Sequence, residues 1–563
     1  MKLTAMIPSH LIFHLIIHLL PLTHATPLPP QTDPCPEPPT PSSTSSSSPI
    51  VDLGYAKYRG LTLPDAAVDT FLGIRYAKPP LSNLRFRAPQ DPSPESSIQD
   101  ASKFGPVCIG PGQSVSPSTS EDCLFVNVFK PSNATPESNL PVWVYIQGGG
   151  YATNSNANYN GTEVVQQSGH GLVFVNFNYR VGALGFLASE HVSKDGHLNA
   201  GLLDQRKLLH WVKKHIKQFG GNPNHVVIHG VSAGAGSVTH HLTAYAAERE
   251  TNLFAAAISQ SPFWPTLRSV HDMEFQYRRV LANANCSSLN CLRHLDTQAF
   301  LDAAPVERFE GVSSSDDAPL PLWYWLPVID GDLVTDHLYS QFQHGHFIRV
   351  PLIVSHDTDE GTYFGANAST AAEVEAFLLT NYPDLQPSQL NAISRTYSPE
   401  KLASLPDHAP YFPSAEAAYG DATFICPGNT VAAIAARHFD PRRVWNYRYN
   451  VQDPDLVASG LGVPHTVEMP AILGLGSVGG TPASYYTTNA AIVPVTMHYF
   501  LSFVMNLNPN VAKYATAPQW DPWGQGTGQR LRLQTNNTAM EPVPADQRAR
   551  CRLWSHLQGY TQM

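Results

Sequence analysis

From about residue 51 onward, short runs of β-branched and aromatic residues alternate with longer stretches whose apolar positions recur every three or four residues. PVWVYI (141–146), LVFVNF (172–177), HVVIH (225–229), VPLIVS (350–355) and RVWNYRY (443–449) predict strands. Their apolar runs are nearly continuous, which suits strands covered on both faces, hence a mainly parallel sheet with crossover helices. Residues 199–221 predict a helix: Leu202, Leu209, Val212 and Ile216 share one face, lysines fall late, and Gly220 and Gly221 stop it. With no repeat, linker or low-complexity run, residues 51–563 are expected to form one domain of the α/β class.

The stretch VVIHGVSAGAGS (226–237) runs from a predicted strand into a predicted helix through a turn centred on Ser232. So tight a turn forces its central residue into a strained backbone and needs small neighbours, which Gly230, Ala233 and Gly234 supply. The hydroxyl is pushed out at the sheet edge, where the next helix points its free N–H groups. Acyl transfer also needs a base, a group to orient it and donors for the oxyanion. YIQGGGYA (145–152) follows a predicted strand and frees backbone N–H groups to converge on a developing charge. Acidic residues in VPLIVSHDTDEGTYF (350–364) and His465 in GLGVPHTVEMP (460–470) come in the chain order that such a site requires. GLGSVG (474–479) matches a dinucleotide fingerprint but follows no predicted strand, so it is read as a turn.

Composition narrows the surroundings. The charge is 35 − 45 = −10, and no basic stripe or block occurs, so neither nucleic acid nor an anionic membrane is an expected partner. Lys2, the apolar run LIFHLIIHLLPL (11–22) and the small residues near Ala25 read as a signal peptide over 1–25, too short for a span of roughly 20 residues. Residues 26–50, rich in Pro, Ser and Thr, read as a disordered lead-in. No apolar tail closes the chain, so no stable membrane anchor is expected. Seven cysteines leave at least one without a partner inside the chain. Sequons at Asn133, Asn160, Asn285, Asn367 and Asn536 agree with a secreted, glycosylated surface.

Together with FLGIRYAKPPLSNLRFRAP (71–89), SEDCLFVNVFKP (120–131), residues 201–223, TDEGT (358–362) and RCRLW (550–554), these motifs resemble the type-B carboxylesterase/lipase family. That family is the cholinesterase-like branch of the α/β-hydrolases, here of fungal secreted type, and the likeness covers roughly residues 50–556. The resemblance implies an α/β-hydrolase fold with a large, mainly parallel central sheet flanked by helices. It implies Ser232 as nucleophile, Glu360 as the acid, His465 as general base, and the N–H groups of Gly149, Gly150 and Ala233 as oxyanion donors. It further implies Ser259 and Glu468 as groups around the histidine, an Arg85–Glu121 salt bridge, and disulfides Cys108–Cys123 and Cys286–Cys291. The pairing of Cys35, Cys426 and Cys551 stays open; Cys426 with Cys551 is favoured, leaving Cys35 in the lead-in.

The departures from the family pattern shape the expected substrate. Val231 stands where the family usually has Glu, and the loop between Cys108 and Cys123 lacks the aromatic that would stack on a choline ammonium. That loop is also too short for a large amphipathic lid. Gln147 replaces the His or Tyr often found before the glycines, with no predictable effect. Phe263 and Trp264, and less so Trp323, Tyr324 and Trp325, are candidates for the pocket lining. The reading is a secreted serine carboxylesterase for neutral, relatively soluble small-molecule esters, needing no metal or cofactor. A triglyceride lipase, a cholinesterase and a non-catalytic adhesion module remain as alternatives, and the oligomeric state is left open.

Overall fold

The computed structural model describes residues 48–154, 158–310, 319–524 and 528–563. The expected signal peptide, Cys35 and the lead-in up to residue 47 lie outside them. Ile50, expected at the end of the lead-in, already begins a strand, Ile50–Asp52, paired with Lys57–Arg59. Residues Ser48–Met563 form one compact unit.

Eleven strands make the main sheet: β1 (Leu61–Leu63), β2 (Val68–Arg75), β3 (Phe125–Pro131), β4 (Leu140–Ile146), β5 (Val173–Phe177), β6 (Gly221–Val231), β7 (Ala256–Gln260), β8 (Leu352–Asp357), β9 (Val444–Tyr449), β10 (Gln529–Leu533) and β11 (Ala539–Pro542). Their order is β11-β10-β9-β8-β7-β6-β4-β5-β3-β2-β1. Every pairing from β10 through β5 is parallel. Antiparallel pairings close both ends of the sheet. The apolar runs explain the parallel centre. Alternate residues of β4 enter opposite cores: Val142, Val144 and Ile146 one, Trp143 and Tyr145 the other. A strand buried on both faces cannot alternate apolar with polar.

Helix α1 (Ala200–His215) buries Leu202, Leu208, Leu209 and Val212, and carries Lys213, Lys214 and His215 in its last turn. Its α-helical part stops short of the expected 221, because residues Ile216–Phe219 tighten into a 3₁₀ turn. Gly220 then closes it at φ 88°, with its N–H donating to the Ile216 and Lys217 carbonyls. Strand β6 leads directly into helix α2 (Ala233–Thr243) through Ser232 alone. Because β4, β6, β8 and β9 run in parallel, the segments that follow them emerge along one edge, where open α/β sheets place their ligands.

Candidate active site

Ser232 takes φ 59° and ψ −125°, a backbone cost of about 1–3 kcal/mol that the flanking strand and helix hold in place. The bracketing glycines follow from packing. A Cβ at Gly230 would overlap the Gly234 carbonyl, and one at Gly234 would overlap the Ile146 carbonyl. The turn is pinned by the Ser232 N–H donating to Gln260 O (3.0 Å) and by the Phe263 N–H donating to Ser232 O (3.2 Å). The side chain is half-buried at the N-terminal end of α2.

The glycine loop after β4 crosses this turn. A Cβ at Gly148 would stand 2.8 Å from Ser232 Cβ, so only glycine lets the loop approach so closely. Gly149 and Gly150 have φ 106° and 61°. Among the described residues no backbone acceptor takes their N–H groups, and Ala233, first in α2, has no intrahelical partner for its own. The Ala152 and Thr153 N–H groups fold the loop by donating to Gly149 O, 3.0 Å each. The Tyr179 hydroxyl donates to Gln147 O at 3.0 Å, and the Gln147 side chain bonds Asn154. Asn154 in turn donates to Cys108 O at 2.8 Å, tying the glycine loop to the disulfide loop.

The expected acid and base, Glu360 and His465, follow β8 and β9. His465 Nδ1 is hydrogen-bonded to Glu360 Oε2, and Glu360 Oε1 accepts the Asp357 N–H at 2.7 Å. Both side chains are buried, and His465 Nε2 is buried without a partner. No hydrogen bond joins Nε2 to Ser232 Oγ among the described residues; such contacts are often long without substrate and tighten when it binds. The imidazole is walled by Phe424 at 4.3 Å and Phe364 at 5.3 Å. Phe424 sits in the wide helical turn Asp421–Ile425, a feature often found at functional sites. Asp357, Glu360 and His465 bring their heteroatoms within 4.8 Å of one another. Glu360 and His465 bond each other, Glu360 Oε1 takes the Asp357 backbone N–H, and Asp357 Oδ2 takes the Thr466 N–H.

The expected pocket aromatics split. Phe263 packs on Phe424 and on Trp323. The Trp323 ring fills the space a Cβ of Gly150 would need, and its Nε1–H donates to the Tyr419 hydroxyl at 3.1 Å. Trp264, Tyr324 and Trp325 are instead core residues: Trp264 packs on Tyr339 and Phe342, and Tyr324 on Phe275 and Phe309. Phe364, Tyr419 and Phe424 carried no local signal in the sequence.

Ser259, expected among the groups around the histidine, is buried in β7. Its hydroxyl donates to Ala235 O at 3.0 Å, tying β7 to α2. Glu468 lies in the layer behind Glu360, accepting the Tyr447 hydroxyl at 3.1 Å. Burial and then the nearby Glu360 charge hold its carboxyl above the usual range. Val231 is buried in the core cluster that contains Tyr145, Tyr447 and Met469. Arg85 and Glu121 form a buried two-point pair, with both N–O distances 2.7 Å. Disulfides join Cys108–Cys123, Cys286–Cys291 and Cys426–Cys551. Asn133, Asn160, Asn285, Asn367 and Asn536 are all exposed.

Fold and site together define a serine hydrolase of the α/β-hydrolase class. The signature of the carboxylesterase family matches residues 47–554, and the chain belongs to that family. It is 31% identical to Lipase 2 of Geotrichum candidum over 533 residues, covering 84% of this chain and 90% of that protein. It is 31% identical to Secreted lipase 4 of Gibberella zeae over 504 residues, 83% of this chain and 85% of that one. The crystal structure of Aspergillus niger EstA superposes with a TM-score of 0.89 at 56% identity, covering 92% of this chain and 99% of that one. The chain is a carboxylic ester hydrolase.

Proposed function

We propose that the protein is a secreted carboxylesterase that cleaves neutral, relatively soluble esters through an acyl-enzyme on Ser232. The observation that carries this reading is the buried Glu360–His465 pair, whose free Nε2 shares one sheet edge with the strained serine and the glycine loop. His465 Nε2 takes the hydroxyl proton as Ser232 Oγ attacks the ester carbonyl. The N–H groups of Gly149, Gly150 and Ala233 receive the oxyanion. His465 returns the proton to the departing alcohol, and a water activated by the same nitrogen releases the acid. Glu360 holds the imidazole tautomer and stabilises its charged form.

The preference for neutral, soluble esters is supported by the lining. Aromatic rings wall the histidine, and no carboxylate stands at position 231 to attract a cation. The loop between Cys108 and Cys123 folds back through short strand pairs, with no helix to act as a lid. Lipase action on triglycerides is the second reading, favoured by the names of the relatives. Secretion and glycosylation are supported by a relative named as secreted, by the disulfides and by the exposure of all five sequons. In Ser232→Ala, turnover of a short-chain ester should fall by about 10⁴-fold or more. Retained turnover would overturn the assignment. A panel running from short-chain esters to emulsified triglyceride and a choline ester decides among the substrates, and preference for the emulsion would favour the lipase.

A further inference from the structure

Behind the Glu360–His465 pair stands a carboxyl group with no part in the chemistry above. Asp357 and Glu468 are both fully buried. Asp357 Oδ2 accepts the N–H of Thr466, next to the histidine, at 2.7 Å, and Glu468 Oε1 accepts the Tyr447 hydroxyl. The remaining oxygens, Asp357 Oδ1 and Glu468 Oε2, have no partner if both groups are ionised. Yet the two side chains are within hydrogen-bonding reach of one another. Two carboxyl oxygens bond each other only when one carries a proton.

A chain of oriented bonds decides which one. The Trp143 indole N–H donates to His229 Nδ1 at 3.2 Å, so the proton of that neutral imidazole is on Nε2. Nε2–H donates to Gln260 Oε1 at 2.8 Å, which turns the Gln260 amide group toward Met469 and Glu468. Glu468 Oε1 thus accepts the Tyr447 hydroxyl while the Gln260 amide faces the same carboxyl, whereas the Asp357 carboxyl accepts the Thr466 N–H. Burial, then Glu468, then Glu360 push the Asp357 carboxyl well above its usual range. The other titratable groups facing the cluster are His465, Tyr447, Tyr449, Tyr485 and Tyr363. The nearby cations Arg448 and Arg530 are engaged by Glu541. His356 is kept neutral, with its Nε2 facing Arg530.

We propose that Asp357 is a neutral positioning residue whose proton bridges Oδ1 to Glu468 Oε2 while Oδ2 holds the Thr466 N–H, fixing the histidine loop without adding a charge beside Glu360. The proposal rests on the roles given above to Glu360 and His465. The asparagine side chain can make the same donation and the same acceptance, so it tests the assignment. In the Ser232→Ala background near neutral pH, an infrared difference against Ser232→Ala/Asp357→Asn should show loss of a protonated-carboxyl C=O stretch. Loss of a carboxylate stretch instead overturns the proposal. In otherwise wild-type protein, Asp357→Asn should keep kcat/KM within about threefold with its acid limb in place. Asp357→Leu should lower kcat about 100-fold with little change in KM. An acid limb displaced downward by about one pH unit in Asp357→Asn would show that a negative charge had been removed, and overturns it. Full activity in Asp357→Leu also overturns it. The infrared arm needs no turnover, so it reads the proton even if Asp357→Leu fails to fold. Retained turnover in Ser232→Ala would sink the catalytic reading and leave the proton placement standing.

Discussion

A methyl group on Gly150 would run into the indole of Trp323, and φ 61° at this position is strained for any residue with a side chain. The clash is with a side chain, not with backbone. Gly150→Ala is therefore expected to displace a proposed oxyanion donor while the protein still folds, lowering kcat/KM by about 10²–10³-fold. Steady-state kinetics beside a still cooperative unfolding transition, its midpoint lowered by the strained backbone, checks this. Gly230 is a different case, because its would-be side chain meets the backbone of α2 itself. The sequence makes both glycines legible, since a nucleophile turn and an oxyanion loop demand small residues at contiguous positions. The proposed acid and base are legible chiefly through the family blocks, because their partnership spans 105 residues. Asp357 stands among three acids in one loop, and nothing local separates the neutral one from the charged one. Phe424 and Phe364 look in sequence like any core aromatic, and Trp264 shows how often such a residue is only that.

Elements are tied to one another by buried polar contacts as well as by the sheet. Arg85 pairs with Glu121, its Nη1 donates to Leu292 O at 2.6 Å, and Thr297 donates to Glu121 Oε2 at 2.6 Å. One ion pair thus joins the turn at Ser82–Leu84, the disulfide loop and the helices Leu289–His294 and Thr297–Ala303. Removing either partner leaves a buried charge alone, so Glu121→Leu and Arg85→Met should each cost about 3–5 kcal/mol. The double variant should lose less than either single one, because the uncompensated charge is gone. Urea unfolding of the four proteins in the cycle measures this, and additive losses would contradict it. At this scale the sequence reads five strands of the buried centre but misses β7 and β3, whose AAISQ and FVNVFKP stretches are broken by polar residues although buried, and it misses the margins. The five predicted strands are all present as β4, β5, β6, β8 and β9, because two-sided burial leaves an unbroken apolar run. The edge strands β1, β2, β10 and β11 mix polar with apolar residues and pair antiparallel at the ends of the sheet, so no comparable run marks them.

Over the whole molecule, the fold buries both neutral imidazoles and carboxyls, and the two respond to pH in opposite senses. Burial lowers His229 from 6.5 to about 4, and His240 from 6.5 to about 3. It raises Asp357, Asp204 and Glu416. Between the folded and unfolded values of a buried histidine the unfolded chain binds the extra proton, so stability rises with pH across that window and levels above about 6.5. A raised carboxyl is protonated in the fold and ionised in the unfolded chain, so its contribution falls as pH climbs through the carboxylate range. The two trends oppose each other, and the total slope does not isolate either. A difference does. His240 follows the nucleophile turn in α2, is buried, and leaves Nδ1 without a partner, so no hydrogen bond from Nδ1 offsets its desolvation. His240→Gln removes the titration and keeps a polar side chain. The unfolding free energy of wild type minus that of the variant should climb from pH about 4 to about 6.5, by at most about 1.4 kcal/mol per unit, and stay level above. Urea unfolding across that range is the measurement. A flat difference would mean that His240 takes up its proton in the folded protein, and the helix carrying the nucleophile turn would then hold a charge in its core.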